Sequence, residues 1–401
     1  MKKHLGWLFR MAIAAAGVAY ILYTLTWSDQ VSLPAGYSAA PGINGGEAGE
    51  TFRVWDGNEE AYLIGPADST DGKATTRGWF PKSELGVGDD DPQFKPSFFT
   101  ILSRADVGLL IGGLAVFVPV FVINAFRWGL LLRARGIDIG LGRAYRLIMA
   151  GAFFNLCMPG TTGGDVMKAY YASKGTHKRA DAVVSVGVDR ACGLIGLMLL
   201  VGILGLFSLD NALIRRLAIV MWCGLGAMLF TFWIYASPSI RARLRLGRLV
   251  GRVPGAGLLR KFDGLVKAYR HHIGALFGAV VMSLPIQIAL ASAMTMAGYA
   301  LGVEQPLLYL LSMIPIVMIL WSLPVSGPLG LGPLDYVAVQ LIVGTSNTTA
   351  QEALMMFVAY RLYAVAVGLC GSLALIGIGA KPVEGQALEL SQNTAAETAK
   401  D

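Results

Sequence analysis

Phe154-Asn-Leu-Cys-Met-Pro-Gly-Thr-Thr-Gly-Gly-Asp-Val-Met-Lys168 is the stretch on which the fold turns. An apolar run ends at Pro159-Gly160, Gly163-Gly164 follows, and Asp165 stands where a new helix would begin. Glycine and proline at that density release backbone N–H and C=O groups that hydrocarbon cannot satisfy. Such backbone is tolerated at membrane depth only when buried in protein or facing a water-filled cavity. The stretch therefore predicts a break inside a membrane-embedded element.

Its flanks say how the element is embedded. Arg143 and Arg146 precede the apolar run at 147–158, and Lys168, Lys174, Lys178 and Arg179 follow it. About 12 residues at about 1.5 Å each fall short of about 30 Å of hydrocarbon. Basic residues on both flanks put both ends in the cytoplasm by the positive-inside tendency. A re-entrant hairpin satisfies both facts, and a complete crossing satisfies neither.

The rest of the chain has the composition of a polytopic membrane protein: 401 residues, 55% hydrophobic and only 15% charged. Cys157, Cys192, Cys223 and Cys370 all lie in apolar segments and read as small buried hydrophobes. His4, His177, His271 and His272 lie in polar flanks, and no HExxH, CxxC, GxSxG or Walker pattern is present. Zinc, redox and nucleotide-driven chemistry therefore have no residues to stand on, and no cofactor or metal is expected. The net charge of +7 falls in loops assigned to the cytoplasm, so it reports topology and anionic lipid rather than nucleic acid.

In order, residues 1–27 read as a signal anchor, with Lys2, Lys3 and Arg10 before and within an apolar run. Residues 28–103 hold 12 acids against 5 bases, and short candidate strands at 51–55, 61–64 and 77–80 are split by Gly, Asp and Pro turns. This predicts a small β-rich extracytoplasmic insert, and Gly78-Trp-Phe-Pro-Lys-Ser-Glu-Leu85 loosely resembles the end of an SH3-like barrel. Residues 104–236 form a first membrane repeat with a following helix. Its spans are 107–126, ending outside-to-inside at Arg127, Arg133 and Arg135, then 182–207 and 213–235. The loop at 237–272 carries nine Arg or Lys against Asp263 alone, the strongest cytoplasmic label in the chain. Residues 273–380 form a second repeat, and the polar tail at 381–401 reads as disordered and cytoplasmic.

The second repeat carries the same device as the first. Its apolar run at 307–323 leads into Pro324-Val-Ser-Gly-Pro-Leu-Gly-Leu-Gly-Pro-Leu-Asp335, where Ser326, Gly327, Gly330 and Gly332 correspond to the glycine-rich break of the first. An arginine inside an apolar helix follows each aspartate by about 25 residues: Arg190 after Asp165, Arg361 after Asp335. The first hairpin enters from the cytoplasm and the second from outside. That pattern predicts an inverted repeat with two broken elements meeting near mid-membrane, Arg190 and Arg361 turned toward the gap, and a binding site there.

The residues there suit an anionic headgroup. A helix beginning near Val166 aims free N–H groups and its positive dipole end at the break, and glycines let phosphate or carboxylate approach closely. Asp165 reads either as an N-cap for that helix or as a partner of Arg190 or Arg361, or as a proton carrier. Lys168 faces a headgroup or snorkels to the interface. Arg190 and Arg361 cost at least about 2.5–3.5 kcal/mol at such depth unless paired or facing water, so they either snorkel or line a central cavity. Asn155 and Gln287 serve as ligands or as interhelical glue, and Tyr360 and Tyr363 pack or anchor at an interface.

At these residues the chain resembles the membrane region of the lysylphosphatidylglycerol synthase family. The resemblance rests on Asn155-Leu-Cys-Met-Pro-Gly-Thr-Thr-Gly-Gly-Asp-Val-Met-Lys-Ala-Tyr170, on Asp189-Arg-Ala-Cys-Gly-Leu194 and on the stretch at 324–335, and it covers roughly 105–380. It implies movement of a lipid between leaflets. Family members with a cytosolic synthase domain also aminoacylate phosphatidylglycerol; no such domain follows the last helix here, and that activity is not expected. Where the family commonly places a glutamate after the second glycine-rich turn, this chain has Asp335, which shortens the acid's reach.

The reading is an all-α integral membrane protein of about six transmembrane helices plus two re-entrant hairpins arranged as an inverted repeat, with a small β-rich extracytoplasmic insert. Its expected function is flippase-like transport of an anionic or zwitterionic lipid or lipid-linked intermediate in a bacterial-type inner membrane, with both termini cytoplasmic. The expected partners are membrane lipids with anionic headgroups, and no nucleic acid. A membrane-embedded lipid-modifying enzyme using Asp165 or Asp335 as acid or base, or a non-transporting scaffold, are the alternatives.

Overall fold

The computed structural model describes residues 26–34, 38–40, 43–44, 51–66, 78–85, 93–157, 163–174, 176, 178–208, 211–236, 269, 271–322, 334–344, 346 and 348–376. All but the last two residues of the signal anchor, most of the basic loop and the C-terminal tail lie outside them.

Among the described residues seven short strands come first: β1 (Gln30–Ser32), β2 (Ser38–Ala40), β3 (Ile43–Asn44), β4 (Thr51–Gly57), β5 (Ala61–Pro66), β6 (Gly78–Pro81) and β7 (Gln93–Lys95). Five make one antiparallel sheet in the order β6-β5-β4-β1-β7, and β2 and β3 pair separately. Period-two alternation drives it. Phe52, Ile64 and Phe80 point inward with Val31 and Leu33, while Trp79 beside Phe80 points out. The short helix α1 (Phe98–Ser103) then docks the sheet on the membrane region. Ser97 caps it, Asp29 accepts hydrogen bonds from the Ser97 N–H at 2.6 Å and the Thr100 hydroxyl at 2.7 Å, and Ile101 enters the main core.

Among the described residues ten further helices follow: α2 (Val107–Phe117), α3 (Val120–Ala134), α4 (Leu141–Cys157), α5 (Gly163–Lys174), α6 (Arg179–Leu206), α7 (Ala212–Ala236), α8 (Ile273–Ala300), α9 (Leu307–Ser322), α10 (Leu334–Val343) and α11 (Ala350–Leu373). Five segments among the described residues are long and apolar enough to cross a membrane: α2 continuing into α3, then α6, α7, α8 and α11. The sixth expected span is the N-terminal segment, outside the described residues. Pro119, which has no N–H to donate, marks the join of α2 and α3. The chain is a multi-pass membrane protein.

Two sequence expectations are corrected here. The first span does not end before Arg127; it runs on to Ala134, so Arg127 lies inside the bundle. The apolar run at 147–158 is only part of α4, whose first turns, Leu141-Gly-Arg-Ala-Tyr-Arg, are polar by composition yet helical. They contain no breaker after Leu141-Gly142, and Ala144 and Leu147 are buried against Trp128 and Leu132 of α3.

The contacts define two ends. At the sheet end, the Asp106 N–H donates to the Ala300 carbonyl, and the Thr26 backbone and the Gln351 amide exchange hydrogen bonds at 3.0 and 3.2 Å. At the opposite, basic end, Arg135 pairs with Asp181 at 2.7 Å and the Tyr269 hydroxyl donates to the Leu131 carbonyl. α4 and α5 pack antiparallel, Gly151 level with Lys168 and Asn155 with Gly164, and this hairpin opens at the basic end. α9 and α10 do the same, Tyr309 reaching Leu341 and Trp321 reaching Asp335, and this hairpin opens at the sheet end. The hairpins also pack crosswise: α4 lies against α11, and α9 against α6.

Candidate functional site

Glycine sets the first hairpin. A Cβ on Gly164 would run into the backbone carbonyl of Gly151, and one on Gly151 would press the Gly164 carbonyl at 3.2 Å and Lys168 Cγ at 3.1 Å. Only hydrogens at both positions let the helices come this close. The Gly164 N–H is taken by Asn155 Oδ1 at 2.7 Å, so α4 supplies the cap for α5. Asp165 is therefore released from capping. Its carboxylate accepts from Arg190 Nε on α6 and lies 2.8 Å from Lys168 Nζ, one turn along α5. Of the readings open for Asp165, the structure has the pairing with Arg190.

Behind this pair runs a chain of buried charge that the sequence reading missed. Lys168 Nζ also stands 3.8 Å from Asp189 Oδ2 and 5.7 Å above the Trp128 ring. Asp189 Oδ1 accepts from Arg127 Nε at 2.9 Å, and Arg127 Nη1 donates to the Ser283 hydroxyl of α8 at 2.9 Å. Arg190, Asp165, Lys168, Asp189, Arg127 and Ser283 thus form one polar line across α3, α5, α6 and α8. Asp189 and Ser283 each stand ten residues inside their helices, about 15 Å from the basic end at 1.5 Å per residue. Three cations face two carboxylates at about half the hydrocarbon thickness. Isolated, each would cost several kcal/mol there, which is why each sits against an opposite charge.

A second aspartate–arginine pair joins α10 and α11 in different surroundings. Arg361 Nη2 donates to Asp335 Oδ1 at 2.5 Å, and Trp321 Nε1 donates to the same oxygen at 3.1 Å. The guanidinium stacks 4.6 Å from the Trp321 ring, which meets Phe357 edge-on at 5.2 Å. The Asp335 side chain is fully buried and that of Arg361 is 8% exposed; by contrast Arg190 is 40% exposed beside Asp165 at 19%. One aspartate–arginine pair is enclosed by aromatics, and the other is part-exposed.

Arg190 and Arg361 each pair with the aspartate that stands 25 and 26 residues before it. Gln287 donates to the Gly193 carbonyl at 3.3 Å and so joins α8 to α6, and the Tyr363 hydroxyl donates to the Leu110 carbonyl; both are packing contacts. Gly163 is buried at the start of α5. Pro159, Gly160, Ser326, Gly327, Gly330 and Gly332 lie outside the described residues. The signal for Arg127 was present, as an arginine at the end of an unbroken apolar run, but Arg133 and Arg135 nearby drew it into the basic flank.

The model of the lysylphosphatidylglycerol synthase TM region matches residues 96–371. The chain belongs to this family. The lysylphosphatidylglycerol synthase TM region takes in α1 through nearly all of α11, both hairpins and every charged residue of the two pairs, and it begins just after β7. The sheet is therefore an addition to the family's membrane region. No curated protein and no solved structure matches the chain.

Proposed function

We propose that this protein moves an amphipathic anionic or zwitterionic phospholipid, or a lipid-linked intermediate, between membrane leaflets. The two hairpins act as re-entrant elements of an inverted repeat. The observation that carries the reading is the repeated aspartate–arginine pair at mid-bundle depth, on hairpins that open at opposite ends. Family membership supports a role in lipid handling. The crosswise packing of each hairpin on the other copy's arginine helix is what a pseudo-two-fold relation requires. A planar guanidinium suits a phosphate, and an aspartate already seated on it keeps the arginine charged and oriented until a headgroup exchanges with it. With Arg135, Arg143, Lys178 and Arg179 at one end, that end faces the cytoplasm of a bacterial-type inner membrane and the sheet faces outside.

The test is reconstitution of the full chain in liposomes with a leaflet-labelled phospholipid. Exchange above that of empty vesicles, slowed at least about tenfold by Arg190→Ala, is the expected result, since losing a charge-assisted bidentate contact of about 1.5–3 kcal/mol is worth that factor. Exchange no faster than empty vesicles across several headgroups defeats the reading.

A further inference from the structure

Two arginines already answer the two carboxylates of the buried line. Arg190 Nε donates to Asp165, and Arg127 Nε donates to Asp189 at 2.9 Å. Lys168 is the cation beyond those two pairs. Both of its ionic contacts are shared, 2.8 Å to Asp165 Oδ1 and 3.8 Å to Asp189 Oδ2. Its side chain is 12% exposed, the Trp128 ring of α3 lies 5.7 Å from Nζ, and Gly151 of α4 backs the stem. The charged groups around it are Asp165 on its own helix, Asp189 and Arg190 on α6, and Arg127 on α3. Cys192 and Tyr269 are further titratable groups within electrostatic range of Asp189. With Lys168 charged, these five ionic side chains sum to one positive charge; with Lys168 neutral they are two complete ion pairs. A net charge is costly to bury, and of the three cations only lysine gives up a proton, since arginine stays charged. The pair at Asp335 and Arg361 shows the contrast. Three residues after Asp335 stands Ala338, and directly before Arg361 stands Tyr360, so those spacings add neither a lysine nor a second carboxylate.

We infer that Lys168 carries a proton that is taken up and released together with an anionic headgroup. This rests on the lipid-transport reading and adds its coupling ion. When a phosphodiester takes the place of Asp165 on Arg190, Asp165 turns wholly to the Lys168 ammonium already 2.8 Å away. Arginine with phosphate, lysine with Asp165 and Arg127 with Asp189 are then three balanced pairs. When the headgroup leaves, a Lys168 N–H bond breaks and an O–H bond forms on Asp165. Asp165, more exposed than Lys168 at 19% against 12%, hands that proton to water and returns to Arg190. Binding and protonation therefore favour each other by the same factor. One singly charged anionic lipid and one proton move together, so the cycle carries no net charge. A pH gradient drives it and a membrane potential does not, and the lipid gathers in the leaflet on the more alkaline side.

The experiment places the full chain in phosphatidylcholine vesicles with a trace of phosphatidylglycerol labelled on an acyl chain, and reads the label in each leaflet. Under a gradient of about one pH unit the label is expected to reach up to about a tenfold excess on the alkaline side, the factor for one proton per lipid. A potassium diffusion potential without a pH gradient should leave the leaflets equal. Lys168→Arg keeps the charge but holds its proton, and is expected to leave them equal under the gradient as well. A lysine needed only as a structural cation would be rescued by arginine. Wild-type exchange that stays equal under the gradient, or a Lys168→Arg protein that still concentrates the lipid, overturns the proton inference and leaves transport standing. A second measurement needs neither exchange nor a variant. Acetic anhydride acylates neutral amines alone, and mass spectrometry reads Lys168 of the wild type in micelles at fixed pH. Phosphatidylglycerol is expected to cut that labelling about tenfold, the factor for one charge-assisted contact, while diacylglycerol leaves it unchanged. Labelling that phosphatidylglycerol does not change overturns the inference. Protection in a protein that exchanges no lipid defeats transport and leaves a proton-linked lipid site.

Discussion

Arg361 donates to Asp335 at 2.5 Å across 26 residues of sequence, in the position that Arg190 and Asp165 occupy across 25. The two pairs share spacing and depth but not exposure, and exposure divides their roles. Asp335 is enclosed by Trp321, so removing Arg361 strands a buried carboxylate. Arg361→Ala is expected to cost about 3–5 kcal/mol, the usual consequence of orphaning one member of a buried pair. The double variant Arg361→Met with Asp335→Asn should recover most of the loss. Thermal unfolding in detergent checks both. Arg190→Ala, at a more open site, should lower the midpoint less than Arg361→Ala while affecting lipid exchange more.

The buried line through Asp189 predicts non-additivity. Asp189 faces Arg127 and stands within reach of Lys168, so Asp189→Asn leaves two cations short of one carboxylate. It should destabilise by about 3 kcal/mol or more. Ser283→Ala removes one donor–acceptor contact to Arg127 and should cost about 1 kcal/mol. In the double variant the two losses should sum to less than their total, because both act on Arg127. A double-mutant cycle by chemical denaturation in micelles measures the coupling; strict additivity would mean that the line is not one unit.

The break at 159–165, its counterpart at 324–335 and the two arginines were legible because each violates an apolar run, and a violation inside hydrocarbon stands out. What the sequence hid was direction. Asp189 and Arg190 are neighbours that leave α6 on different faces, one inward to Arg127 and one outward to Asp165, and the partners of each lie on other helices. Arg127 was hidden by position, since an arginine near Arg133 and Arg135 reads as flank until the helix is seen to continue. The capping of α5 by Asn155 was equally out of reach. An asparagine nine residues upstream caps a helix only if the chain folds back at a particular distance, and that distance is set by Gly151 and Gly164.

Those glycines make a prediction of their own. A methyl group on Gly164 meets a backbone carbonyl, which cannot rotate away as a side chain can. Gly164→Ala should therefore separate α4 from α5, break the Asn155 hydrogen bond and cost about 1–3 kcal/mol as overpacking does. Gly142→Ala, where an added Cβ has open space, should be neutral or slightly stabilising through helix propensity. Asn155→Ala should reproduce part of the Gly164→Ala loss, about 1 kcal/mol for a cap. Unfolding midpoints, expected lowest for Gly164→Ala, intermediate for Asn155→Ala and highest for Gly142→Ala, check the hairpin geometry.

A pH dependence is expected at the connection from α3 to α4, on the water side. Asp138 accepts the Gly140 N–H, and that hydrogen bond holds its carboxyl below the usual value of 3.8, with Arg133 adding to the effect. A depressed folded-state value contributes stability that is present above 3.8 and lost as pH falls through the lower folded value. The contribution is small because the group is open to solvent. The difference in stability between wild type and Asp138→Asn should thus be constant near neutral pH and vanish in acid, below the carboxylate range. A difference that instead grows toward low pH would show that Asp138 is held by something other than the Gly140 amide.

The last prediction concerns the sheet. Thr26 and Gln351 exchange two hydrogen bonds, and Gln351 stands one residue into α11, the helix that carries Arg361. Thr349 and Glu352 cap each other at the same helix start, with the Glu352 N–H at 3.2 Å and the Thr349 N–H at 2.7 Å. The sheet is therefore fastened to the first turn of α11 and not to a free loop. Gln351→Ala should loosen that fastening by about 1–2 kcal/mol without unfolding α11, whose capping box remains. Limited proteolysis should then cut between β7 and α1 faster than in wild type, while the membrane helices stay protected. If cleavage is unchanged, Asp29, through Ser97 and Thr100, carries the attachment by itself, and Asp29→Ala becomes the variant that releases the sheet.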